Sequence, residues 1–173
     1  RGGAGPAVAL GLAGDGGPTS PRRRVGELVG GAVAGVATSL TLVPLLYELV
    51  HRLAGTTTTD LERPARLLVD RAGSASGIAL LIVSTCVAAP LVEEVIYRGV
   101  LLPALAPWGA PLAVATTSVV FGAAHLQALQ LPGLVVIGVV LGTLRVSTGS
   151  LVAPIAAHVG FNATAVVVLL THR

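Results

Sequence analysis

Methionine and lysine are absent from the 173 residues, cysteine occurs once, and charged side chains make up only 11%. An average soluble domain carries roughly 25% charged residues, so a water-exposed surface of ordinary composition is excluded. With 53% hydrophobic residues and a mean hydropathy of +0.85, the chain reads as a membrane protein. The alternation of apolar and polar residues in segments of about ten that marks a transmembrane β-barrel is also missing, so the spans are expected to be helical. Aromatic residues are scarce, at 3%, and the net charge is only +3. The run Arg22-Arg23-Arg24 therefore lacks the aromatic interleaving of a nucleic-acid-binding surface and is read as flanking a membrane span. Cys86, alone and in an apolar stretch, can form no internal disulfide and is taken as a small packing residue. A chain that begins with Arg1 and holds no methionine is expected to be a fragment or a processed product.

What is present is long apolar runs, each near the 20 or so residues that cross a bilayer. Residues 1–24, rich in Gly, Pro and Ser, are expected to be a disordered tail. A first span is expected over residues 25–50, with Gly30, Gly31, Ala34 and Gly35 allowing close helix approach. Residues 51–72 form a polar connector in which Asp60 to Arg71 fits a short interfacial helix. A second hydrophobic segment from Ser74 to Leu105 is too long for one perpendicular crossing, and Pro90 is expected to bend it. Pro103 and Pro107 mark its end, with Trp108 as an interfacial anchor. Three further spans are expected over Pro111 to His125, Leu131 to Leu144 and Leu151 to Leu170, with Arg145 in a short turn. The fold class is thus all-α, a polytopic bundle of about five transmembrane helices, with residues 73–171 as a core of four.

Against this background the charged or imidazole side chains between Ala72 and Leu170 are few: Glu93, Glu94, Arg98, His125, Arg145 and His158. Ionised groups in a low-dielectric setting are costly unless paired, hydrated or functional. Glu94 and Arg98, four apart on a helix, can pair. Glu93 lies about 100° round the helix from Glu94 and stays available. Taken alone this is equally a buried ion pair with a spare glutamate. His125 ends the segment Phe121-Gly122-Ala123-Ala124-His125, where a helix-end histidine is often only a packing residue. His158 and Asn162, four apart on the last span, share a face, which also suits glue between helices. Together, a carboxylate and two histidines converging within a membrane can activate water.

The order Glu-Glu-x-x-x-Arg, Phe-x-x-x-His and His-x-x-x-Asn over four apolar helices resembles the CPBP family of intramembrane proteases. That family includes Rce1-type CAAX prenyl endopeptidases and the Abi or bacteriocin-immunity relatives. The resemblance covers Gly73 to Leu170 and implies a glutamate-dependent endopeptidase. By this resemblance Glu93 matches the general base and His125 the histidine that holds the attacking water. His158 and Asn162 match the pair that stabilises the oxyanion, and Glu94 and Arg98 the supporting pair. The implied partners are a peptide or membrane-protein substrate, cut near the C-terminus of a lipidated or membrane-bound chain, and membrane lipid; no cofactor and no metal are implied, and a bacterial plasma membrane is the expected location.

Rival chemistries fit less well. A zinc protease of the His-Glu-x-x-His kind lacks its motif, a Ser-His protease lacks its Gly-x-Ser-Gly setting, and every Asp lies outside the last four spans. Zinc held by Glu93, His125 and His158 remains a conceivable variant. Two non-proteolytic readings use the same residues: an immunity or scaffold protein that binds without cutting, and a proton-coupled transporter with Glu93 and His158 as relay. The latter lacks an inverted internal repeat.

Overall fold

The computed structural model describes residues 20–55 and 57–171, so most of the expected tail, residues 1–19, lies outside the described residues. Pro21 to Arg24 form the first turn of a helix instead of ending the tail. Among the described residues six helical elements follow one another: α1 (Pro21–Ala54), α2 (Thr58–Ala72), α3 (Ala75–Trp108), α4 (Ala110–Ala124), α5 (Leu131–Thr148) and α6 (Val152–Thr171). Among the described residues there is no strand. Helices α1, α3, α5 and α6 are long and apolar enough to cross a membrane. Helix α4 is apolar but has 15 residues, about 22 Å at 1.5 Å per residue, against a hydrocarbon core of about 30 Å. The five expected spans are therefore four full-length helices and one shorter companion.

Local chemistry sets the boundaries. Ser20 accepts from the Arg23 N–H and Pro21 occupies the first turn, so α1 starts four residues before the expected span. Arg23 pairs with Glu27 at 2.9 Å and also donates to the Thr148 carbonyl at 2.7 Å, tying the start of α1 to the end of α5. A short helix is present in the connector, as expected, and is α2. Thr57 and Asp60 cap it reciprocally, and those Thr57 hydrogen bonds hold the Asp60 carboxyl below the usual carboxylate range. Arg145 lies in the last turn of α5 and not in a connecting turn, because the helix continues to Thr148 before Gly149 stops it in a left-handed conformation, φ +69°.

The long helices are not uniform. Three π-helical stretches, Thr38–Leu42, Ser84–Ala88 and Val95–Leu101, each end two residues before a proline: Pro44, Pro90 and Pro103. An interior proline lacks the N–H for the carbonyl one turn back, and its ring crowds that carbonyl. Widening the preceding turn relieves the crowding. The disturbance expected at Pro90 thus takes the form of the π stretch Ser84–Ala88 just before it, while the stretch before Pro103 contains Arg98.

Close packing joins the helices into one bundle. Gly31 and Gly35 of α1 lie against the Ala153 and Ala157 carbonyls of α6, where an added Cβ would collide with backbone; Gly30 faces open space. Across α4 and α5, Gly138 abuts Ser118 and Gly142 abuts Val114. The buried centre is Phe121, Ile137, Leu141 and Ala157, drawn from α4, α5 and α6. This apolar plug is the floor on which the polar residues stand.

Candidate active site

Helix α3 delivers the acidic pair to the bundle interior. Glu94 and Arg98 are wholly buried, and Arg98 Nη1 donates to Glu94 Oε1 at 2.9 Å, as their spacing predicts. Of the remaining guanidinium donors, Nη2 donates to the Gly138 carbonyl of α5 at 3.0 Å, Nε has no hydrogen-bond partner among the described residues, and the group lies 4.7 Å from the Phe121 ring centroid. A desolvated charge needs such compensation. Glu94 has a second partner that the sequence did not announce. Its Oε1 also accepts from His158 Nδ1 of α6 at 2.9 Å.

That contact fixes the imidazole. An ionised carboxylate only accepts, so Nδ1 carries the hydrogen and Nε2 is the open nitrogen of the neutral ring. Nε2 faces Glu93 Oε2 at 3.8 Å. Glu93 differs from its neighbour chiefly in exposure: its side chain is 27% exposed. Each carboxylate leaves its Oε2 without a hydrogen-bond partner among the described residues, and Glu94 binds both Arg98 and His158 through Oε1.

His125 caps the C-terminal end of α4, where helix carbonyls lose their intrahelical donors. Its Nδ1 donates to the Phe121 carbonyl at 2.8 Å, which leaves Nε2 as an acceptor. The chain then turns at Leu126, φ +55°, and Gln130 donates to the Leu61 carbonyl of α2 at 2.5 Å, so the turn behind His125 is anchored to the connector helix. Asn162 of α6 uses Nδ2 to donate to the Thr85 carbonyl in the first π stretch of α3, at 2.8 Å. One amide N–H and Oδ1 are left over.

Glu93, His125, His158 and Asn162 line one cavity of about 290 Å³. Three helices far apart in sequence supply them, and α5 contributes Leu134 and Ile137 as an apolar wall. Glu94 and Arg98 lie behind this lining. Phe121 is the common support: its ring meets Tyr97, His125 and His158 edge-on, at centroid distances of 5.3, 4.8 and 5.6 Å. Sequence reasoning quoted Phe121 only as a motif letter and passed over Phe161. A signal for both was available, since these are the only two phenylalanines in the chain and both line the cavity. Among the described residues no three His, Cys, Asp or Glu side chains are grouped as metal ligands.

The arrangement is chemically asymmetric. It holds an unpartnered carboxylate oxygen, two ring nitrogens able to accept, and an amide donor, in a pocket whose walls are mostly apolar. Residues 75–164, just over half of the chain, match the family model described as Rce1-like, type II CAAX prenyl endopeptidase. No curated protein and no solved structure is matched.

Proposed function

The chain belongs to the Rce1-like family of type II CAAX prenyl endopeptidases, and on that premise we propose that it hydrolyses a peptide bond of a membrane-bound substrate with a water activated by Glu93. The family makes the chain an integral membrane peptidase of the CAAX type. What goes further is the assignment of roles. The observation that carries it is the unpartnered Glu93 Oε2 in the cavity shared with His125, His158 and Asn162.

A general base must reach the proton it removes. A water beside Glu93 Oε2 can donate one hydrogen to that carboxylate and the other to His125 Nε2, the acceptor left by the Phe121 carbonyl bond. Its oxygen then attacks the substrate carbonyl carbon as the proton passes to Glu93. The negative charge that forms on the carbonyl oxygen needs donors placed in advance. Asn162 offers its second N–H. His158 offers Nε2 as a donor when its ring has taken up a proton from solvent before the attack, with the Glu94 carboxylate bound to its other nitrogen. Collapse of the tetrahedral intermediate breaks the C–N bond, Glu93 returns its proton to the departing amine, and the products are a carboxylate and an amine. The substrate favoured by the family description is a prenylated C-terminal CAAX peptide.

Purified protein in detergent micelles, given a fluorogenic prenylated CAAX peptide, is expected to cleave it. His125→Ala should lower kcat by about 100-fold or more while its thermal unfolding stays near that of the wild type. Wild-type rates in a folded His125→Ala would remove His125 from the mechanism. Binding of the peptide without any cleavage by the wild type would favour the scaffold reading instead.

A further inference from the structure

Asn162 is placed by a proline on another helix. In the π stretch Ser84–Ala88 the backbone bonds reach five residues back, and the Ala89 N–H goes to the Ser84 carbonyl. The next residue is Pro90, which has no N–H. The next carbonyl in that register, Thr85, is therefore the one left without a donor from its own helix. It is this carbonyl that Asn162 Nδ2 fills, at 2.8 Å. An unfilled carbonyl at this depth is costly, which makes the Asn162 bond a strong orientational constraint.

The same device recurs at the next proline of α3. The Leu102 N–H goes to the Tyr97 carbonyl, Pro103 follows without an N–H, and the next carbonyl, Arg98, accepts from Arg145 Nε of α5 at 3.3 Å. Two prolines thus expose two carbonyls, and a polar side chain from a neighbouring helix docks on each. In both places the proline, lacking an N–H, leaves the carbonyl free for the side chain.

We propose that Pro90 is a positioning residue for Asn162: by depriving the Thr85 carbonyl of its backbone donor, it holds one Asn162 N–H on α3 and aims the other into the cavity. This rests on the reading of Asn162 as an oxyanion donor. Pro90 touches no reacting atom in this scheme. An alanine at position 90 supplies an N–H of its own, competes for the freed carbonyl, and lets the Asn162 amide swing.

Asn162 is the only asparagine in the chain, so asparagine-selective 15N labelling gives a single side-chain amide to observe in detergent micelles. In the wild type one of its two protons is expected to exchange slowly; fast exchange of both overturns the proposal without any variant. In Pro90→Ala the slow proton is expected to become fast, and an unchanged amide spectrum overturns the proposal. Kinetics on the prenylated CAAX peptide complete the test. Pro90→Ala should lower kcat about tenfold, with KM within about twofold, and should lower it no further in the Asn162→Ala background. Fold-changes that multiply instead would show that Pro90 acts through something other than Asn162. If Asn162→Ala cleaves as fast as the wild type, the oxyanion reading falls, whereas the amide spectrum still decides whether Pro90 holds the side chain.

Discussion

Two adjacent glutamates in α3 have opposite duties. Glu94 is wholly buried and its Oε1 is bound to both Arg98 and His158, while Glu93 is partly exposed and lines the cavity; each has an open Oε2, but only that of Glu93 belongs to a cavity-lining residue. Removing one partner of a buried ion pair strands the other charge at a cost of about 3–5 kcal/mol. Glu94→Ala should therefore destabilise the protein by about that amount, read as a marked fall in the thermal midpoint in detergent; an unchanged midpoint would show that Arg98 does not depend on it. Much of this was legible beforehand. The i,i+4 spacing of Glu94 and Arg98 announces the pair, and the turn of the helix sets Glu93 apart. The Glu94–His158 bond was not legible, because it joins residues 64 apart in sequence and depends on how α6 seats against α3. Nor was the docking of Asn162 on a backbone carbonyl, since a sequence carries no sign of which carbonyl is orphaned.

At the scale of elements, hydropathy located the spans to within a few residues, because a bilayer demands long apolar runs. It failed at ends set by capping. Ser20 and Pro21 extend α1 backwards, and Arg145 stays helical because Gly149, not the arginine, stops α5. The π stretches were invisible for a different reason: in an apolar helix nearly every position is hydrophobic, so a local change of period leaves no polar mark to read. The small residues of α1 are recognised as a packing face, but Gly30 does not serve it. An added methyl at Gly35 would meet the Ala157 backbone, which cannot yield as a flexible side chain can. Gly35→Ala is expected to cost about 1–3 kcal/mol in detergent unfolding. Gly30→Ala, with nothing within 4 Å, should be neutral or stabilising by up to about 1 kcal/mol. Equal effects at the two positions would contradict the α1–α6 contact.

The whole molecule is a bundle in which apolar packing places polar groups that could not find one another by local structure. Helix α1 clamps α6 through Gly31 and Gly35, α5 backs α4 through Gly138 and Gly142, and Phe121 supports the imidazoles from below. The cavity is what this packing leaves open. Its existence was inferable from three polar motifs in otherwise apolar spans; its walls were not, because any Leu, Ile or Phe of the chain could have served. The central claim is that Glu93 takes the proton from the attacking water, and Glu93→Gln tests it most directly, since the amide keeps the shape and loses the basicity. In folded protein assayed on a prenylated CAAX peptide, kcat is predicted to fall by about 1,000-fold with the thermal midpoint unchanged. Cleavage within tenfold of the wild-type rate would contradict it.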